Sequence, residues 1–311
     1  MACTFEDASV SWIKEKKQYV KISTVCVYQT ILQSHLIPYF KNAEKVTEED
    51  VQKFVLEKLN AGLSTKSVKD MVVVIKMICR YAQKKKMLEV ELMDITFPAN
   101  EPNKKIEVMS KSEERRLISY LKENFTFENL GILICLQTGL RIGEICGLIW
   151  QDIDLETNEI CVNRTIERIY LNQEDAKTKL IISDPKTSNS KRRVPICSSL
   201  MKILKPLKKV MNDSFYVLTN GKNPMEPRVY RKHFSRLLKE RGFQKIKFHG
   251  LRHTFATRCI ESKADYKTVS SILGHASITT TLNLYVHPDN EEKKKCVDKM
   301  MKSVDKASCS E

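Results

Sequence analysis

No apolar run in this 311-residue sequence is long enough to span a bilayer; the longest, such as MVVVIKMIC and LGILICL, are far too short. The N-terminus, MACTFEDASVSWIK, carries acidic residues and lacks an apolar core, which excludes a secretory signal. A cytosolic chain is therefore expected. Ten cysteines occur without a single C-x-x-C pair, and several fall on apolar helical faces, so they read as buried reduced thiols and not as a zinc or disulfide framework. A GxxxxGK(S/T) phosphate loop is missing, as is an acidic metal cluster, so the residues for nucleotide hydrolysis or two-metal chemistry are not there. No segment repeats.

What is present is charge. The formal net charge is +15, spread along the whole chain and not gathered in a tail. Nucleic acid is the commonest polyanion such a protein meets, although a solvated lysine-rich surface carries the same charge. Apolar residues make up 42% and charged residues 29%, which fits a globular protein long enough for two domains with separate cores.

Residues 1–97 read as helices. STVCVYQTILQSHLIPYF has helical spacing and is expected to stop near Pro38. TEEDVQKFVLEKLNAG opens with Thr47 and Asp50 in a capping-box pattern and ends at Gly62. Ser64 then caps a long helix whose buried stripe is Val68, Met71, Val72, Ile75, Ile78 and Cys79. Its other faces carry Lys69, Lys76, Arg80 and Lys84, which suit either phosphate contacts or solvent.

Residues 98–107, within FPANEPNKKIE, read as a linker, and residues 108–311 as a second domain. There, Ser110 and Glu113 cap a new helix, and two further helices break near Gly139. NEICVNRTIERIY, KLIISDPKT and KRRVPIC are short and β-branched, predicting a small three-stranded antiparallel sheet. Helices resume from about 227. The fold class is mainly α with a small antiparallel β-sheet. The chain begins almost at once with its first helices, so a separate domain before them is not expected.

The stretch FHGLRHTFATR poses the chemical question. Two histidines four apart suggest a metal, whereas His249 and Arg252, three apart on one helical face, suggest an anion clamp. A zinc-protease helix needs His-Glu-x-x-His; here Gly250 stands at the Glu position and Arg252 would put a cation beside the ion. The clamp is the better reading. TGLRIGEICGL places Arg141 where a tight turn at Gly139 enters a helix, with Glu144 either orienting the guanidinium or forming an ordinary surface pair. LGHASITTTLNLYVHP adds His275 in a turn, Ser277 as a helix N-cap, and Tyr285 on the helix that follows.

In combination, TGLRIGE, HGLRHTFAT and LGH followed by Tyr285 resemble the tyrosine recombinases, the phage-integrase-like family of site-specific recombinases. The resemblance covers essentially the whole chain. It implies a helical core-binding (SAM-like) DNA-binding domain at 1–97 and a catalytic domain from about 107 onward. It further implies Arg141 and Arg252 as a phosphate clamp, with His249 and His275 beside it and Tyr285 as the nucleophile. A catalytic lysine would lie on a turn between two strands: Lys186 is the choice, with Lys177, Lys179 and Lys191 nearby. The implied reaction cleaves and rejoins DNA through a 3′-phosphotyrosine, with no cofactor, metal or ATP.

Implied partners are double-stranded DNA recombination sites and three further copies of the chain in a synaptic homotetramer. Accessory DNA-bending or directionality proteins are compatible with this, and a membrane is not involved. The task would be integration for a phage or mobile element, or else dimer resolution or DNA inversion by the same chemistry. A type IB topoisomerase shares the site logic, and a DNA-binding relic without catalysis is the alternative of another class. Val297, Met301 and Val304 form an apolar stripe on a terminal helix, which in the family docks on a neighbouring subunit; folding back on its own domain is the other option.

Overall fold

The computed structural model describes residues 3–91, 94–98, 106–173, 176–183 and 191–285, with helical residues 294, 297, 298, 300 and 301 near the C-terminus. The chain forms two compact units, Met1–Lys105 with Arg168–Ile181, and Ile106–Glu167 with Ile182–Glu311.

The first unit contains α1 (Phe5–Lys16), α2 (Ile22–Ile31), a π-helical turn (Leu32–Leu36), α3 (Ile37–Phe40), α4 (Glu48–Asn60) and α5 (Thr65–Lys84). A two-residue parallel pair, β1 (Lys45–Val46) and β2 (Glu89–Val90), joins them. Thr4 with Asp7 and Thr47 with Asp50 form reciprocal caps on α1 and α4. Ser64 Oγ accepts the Ser67 N–H at 3.1 Å, which starts α5 at the expected residue. The whole predicted stripe of α5 is buried, against Phe5, Trp12, Leu36, Phe40 and Phe54. Each such side chain contributes about 1.5–3 kcal/mol when removed from water. The helical run ends at Phe40, near Pro38 as expected, but Pro38 itself is inside it. The π turn re-registers the ladder, with the Ile37 N–H donating to Leu32 O, so Pro38 falls in a first turn, where its missing N–H costs little.

In the second unit, α6 (Lys111–Glu123) starts at Ser110, whose Oγ accepts the Glu113 N–H at 3.2 Å. α7 (Phe127–Thr138) is buried along nearly its whole length and ends at Gly139 in the left-handed region, φ 67°. α8 (Ile142–Gly147) follows, then β3 (Ile153–Asp154), β4 (Glu159–Val162), β5 (Thr165–Gln173), β6 (Ala176–Ser183) and β7 (Arg192–Pro195), of which the β5 and β6 residues within Arg168–Ile181 group with the first unit. Helices α9 (Ser198–Lys208), α10 (Pro227–Glu240), α11 (Phe248–Glu261), α12 (Tyr266–Leu273) and α13 (Ile278–Tyr285) complete it. α11 packs on α7, and α13 on α12 and α11. Ile106 packs beside Ala256, Val269 and Leu273, so the end of the expected linker already belongs to this core.

The sheet differs from expectation. The antiparallel three-stranded sheet has the order β3-β4-β7, with Ile160 opposite Val194 and Val162 opposite Arg192, while among the described residues β5 pairs with β6 alone. NEICVNRTIERIY therefore divides at Asn163 and Arg164. Both turn toward the buried carboxylate of Asp152: Asn163 Nδ2 donates at 2.9 Å and Arg164 Nη1 at 2.5 Å, which ends the ladder. Helix also resumes earlier than residue 227, because α9 buries Leu200 and Leu204 despite its lysines and Pro206. The described cysteines are free thiols, and burial pushes the pKa of Cys79 up to about 12 and those of Cys135 and Cys146 further in the same direction.

Candidate active site

The site is organised by the end of a helix. Asp265 caps the start of α12, its Oδ2 accepting the Thr268 N–H at 2.8 Å, and Gly274 ends it in the left-handed region at φ 64°. The final carbonyls of a helix have no partner within it and carry the negative end of its dipole. Here three consecutive ones meet three guanidinium groups. Ile272 O accepts Arg192 Nε at 2.6 Å, Leu273 O accepts Arg252 Nη2 at 2.7 Å, and Gly274 O accepts Arg141 Nη2 at 2.8 Å.

Arg252, from the middle of α11, is only 2% exposed. Its Nη1 donates to Gly139 O at 2.8 Å, so one guanidinium bridges the α7–α8 turn and the end of α12. Gly139 is required twice over. Its backbone is left-handed, and a Cβ there would lie 2.5 Å from the Phe255 ring and 2.8 Å from the Leu273 side chain.

Arg141 immediately precedes α8. Its backbone N–H and Nη1 donate to the two oxygens of Glu144, each at 2.9 Å. Glu144 is buried, and it also receives Arg192 Nη1 and Nη2 at 2.9 and 3.0 Å. Burial works against its charged form, but the hydrogen bonds and charge of Arg192, with those of Arg141, outweigh it and hold the carboxyl below the usual carboxylate range. Glu144 is thus an orienting group between two arginines, not a surface pair.

The histidines flank these charges. Burial, followed by the charges of His253, Arg252 and Arg141, lowers the pKa of His249 to about 4. His249 reaches the surface, but its ring is hemmed in by protein atoms that disfavour its charged form. Its ring stands edge-on to His253 with centroids 4.5 Å apart. His275, half-buried, has Nδ1 2.8 Å from the hydroxyl of the buried Thr281. Burial, then Arg252, Arg141, Arg192 and His249, lowers its pKa to about 4 as well. Both rings are neutral at pH 7, so each offers one donor and one acceptor nitrogen. Among the described residues, no group of three or more His, Cys, Asp or Glu side chains is placed to hold a metal ion.

Of the six residues singled out in the sequence, Arg141, His249, Arg252 and His275 are brought together. Ser277 Oγ accepts the Thr279 N–H at 3.2 Å at the start of α13, as expected of an N-cap, and Tyr285 is the last residue of that helix. The Tyr285 side chain lies outside the described residues, as do Lys186 and the side chain of Lys177; Lys179 and Lys191 are exposed. Sequence reasoning missed Arg192 and Thr281. Strand alternation could have found the first: in RRVP, Arg192 shares the inner face with buried Val194, whereas Arg193 and Pro195 are exposed.

Residues 107–292 match the phage integrase family, and residues 4–59 match the phage integrase N-terminal SAM-like domain. The chain is 30% identical over 324 residues to a XerC-like tyrosine recombinase of Caldanaerobacter subterraneus, covering 95% of this chain and 82% of that one. It is 25% identical over 283 residues to the ICEBs1 integrase of Bacillus subtilis, covering 87% and 75%. Among solved structures, the Tn1549 transposon integrase in complex with transposon right end DNA superposes with a TM-score of 0.79 at 21% identity, over 96% of this chain and 99% of that one. A lambda integrase tetramer bound to a Holliday junction gives 0.63 at 16% identity, over 93% and 80%.

Proposed function

The chain belongs to the phage integrase family, the tyrosine recombinases, and from that premise we propose how its residues divide the cleavage and rejoining of DNA strands. Duplex DNA is the substrate, drawn by the net charge of +15. Residues 1–97 form the core-binding domain, 98–107 the linker and 108–311 the catalytic domain. Arg141 and Arg252 hold the scissile phosphate and stabilise the charge on its non-bridging oxygens as the phosphorus becomes five-coordinate. A tyrosine phenol has a pKa of about 10 and is a weak nucleophile at neutral pH, so this positive surrounding also favours its phenolate.

Tyr285 Oη attacks phosphorus, and the P–O5′ bond breaks. Lys186 gives its proton to the departing 5′-oxygen, a task that arginine, which hardly deprotonates, performs poorly. His249 and His275, neutral before DNA arrives, bond to the phosphate or take the tyrosine proton. The products are a 3′-phosphotyrosine and a free 5′-hydroxyl. A 5′-hydroxyl from a second duplex reverses the step and joins a new strand, since the phosphodiester energy is kept in the covalent link.

The observation that carries this reading is the convergence of Arg141 and Arg252 on adjacent carbonyls at the end of α12, with α13 leading from that point to Tyr285. Four copies on two duplexes complete the reaction, each lending its terminal helix to a neighbour. Val297, Met300 and Met301 are half exposed on that helix, an apolar surface suited to burial against another chain. Val304 lies outside the described residues. No described helix is long and apolar enough to cross a membrane. Integration or excision of a mobile element in the cytoplasm is the task that an integrase and transposon ancestry favours, with accessory DNA-bending proteins as further partners.

The test is a nicked duplex whose cleaved strand loses its 5′-hydroxyl fragment. In chelator and without ATP the protein should accumulate a covalent complex, and with two site-bearing duplexes it should exchange strands. Relaxation of supercoils without exchange would make it a topoisomerase instead. Absence of any covalent complex would make it a DNA-binding relic.

A further inference from the structure

We propose that Arg192, at the start of β7, is a positioning residue that sets the orientation of Arg141 through Glu144 and so controls the rate of strand cleavage without touching the phosphate. The inference rests on the functional reading above and adds a residue to it.

Arg192 is held through all three of its guanidinium nitrogens. Both terminal nitrogens engage the two Glu144 oxygens, and Nε engages Ile272 O at 2.6 Å. Only 6% of its side chain and 4% of that of Glu144 reach solvent. A doubly bonded, planar, buried pair of this kind has one geometry. Glu144 in turn holds Arg141 by its backbone and by Nη1, and these bonds leave the Arg141 side chain 35% exposed. The order of contacts is therefore strand, carboxylate, then the arginine nearest solvent.

Burying this pair for stability alone would be a poor choice, because desolvation offsets much of its attraction. Its value is precision. Arg192, Arg252 and Arg141 bond to three consecutive carbonyls, so a single rigid helix end fixes all three guanidinium groups against one another. Two of these bear on phosphate in the functional reading; the third fixes the carboxylate that aims one of them. β7 also begins just after the segment that carries Lys186, which gives Arg192 a second conceivable route of action, through the leaving-group proton. The bonds to Glu144 favour the clamp.

Cleavage of nicked duplexes at saturating protein separates the routes. One substrate has the natural 5′-oxygen, and the other has a 5′-bridging sulfur, whose thiolate leaves without needing a proton. Arg192→Ala should slow covalent-complex formation roughly a hundredfold, the scale of a small misplacement of a catalytic group. The loss should be equal on both substrates, with DNA affinity unchanged. Arg192→Lys keeps the charge but not the fork, and guards against an alanine variant that fails to fold; it should show a smaller loss, again equal on both. In a Glu144→Gln background, Arg192→Ala should cost much less than it does alone, because the two act in series. Wild-type rates on the sulfur substrate would assign Arg192 to the lysine route. Wild-type rates on both, or losses that simply multiply with Glu144→Gln, would also overturn the proposal. A wild-type protein that forms no covalent complex would refute the functional reading itself.

Discussion

The two units bury different things. Among the described residues of the first, Ser9 is the only buried polar residue, and Phe5, Trp12, Phe40, Phe54 and Ile75 fill the rest. The second buries Asn129, Thr138, Glu144, Asp152, Arg252, Thr254, Ser270 and Thr281. One unit is held by apolar area, a force without direction. The other accepts the cost of buried charge in return for groups held at fixed angles. A lost methyl and a lost hydrogen bond should accordingly have separable consequences in the two.

Arg252→Gln should show the widest separation, lowering the cleavage rate roughly a hundred- to a thousandfold, as loss of a preorganised donor does. Single-turnover kinetics at saturating DNA would measure it, and a loss confined to affinity would contradict it. Ile75→Ala in α5 should do the reverse. It should cost about 2–5 kcal/mol in a urea melt, the usual range for emptying a buried aliphatic site, while the cleavage rate per folded molecule holds. A rate defect as large as that of Arg252→Gln would erase the contrast.

Removing residues 290–311 should leave DNA binding intact and lower recombination, read by gel shift and strand exchange respectively. Full recombination by the truncated chain would mean that its terminal helix does not dock in trans.

The smallest effect concerns pH. His275 titrates near 6.5 when unfolded and about 4 in the fold. Between these values the unfolded chain binds more protons, so stability is full above pH 6.5 and falls as pH drops toward 4. Melting temperature should follow that course, and His275→Gln should flatten it. The first unit has one such histidine, His35, also shifted down, by burial and then Lys58, and substituting it should change the slope less.

How much of this was legible in the sequence follows the same division. The α5 stripe was readable because helical periodicity is local, and Ser64, Thr47 and Ser110 marked helix starts by capping chemistry that acts over three residues. Arg141, His249, Arg252 and His275 were readable because they stand in short motifs. Arg192 stands in no such motif: the alternation of RRVP hints only that it points inward, and its partners Glu144 and Ile272 lie far away in the chain. The division of NEICVNRTIERIY was hidden for the same reason: only folding brings Asp152 to Asn163 and Arg164. The role of α12 as a frame was also invisible, because its contribution is three backbone carbonyls, which any side chains could carry.

If the reaction runs as proposed, a phenol at the end of α13 is delivered to a phosphate gripped by Arg141 and Arg252. Peptide mapping of the trapped covalent complex would locate the linkage. A nucleotide 3′-phosphate should be found on Tyr285, and Tyr285→Phe should form no complex while still binding DNA. A 3′-phosphate found on another residue, or a complex that persists in Tyr285→Phe, would contradict it.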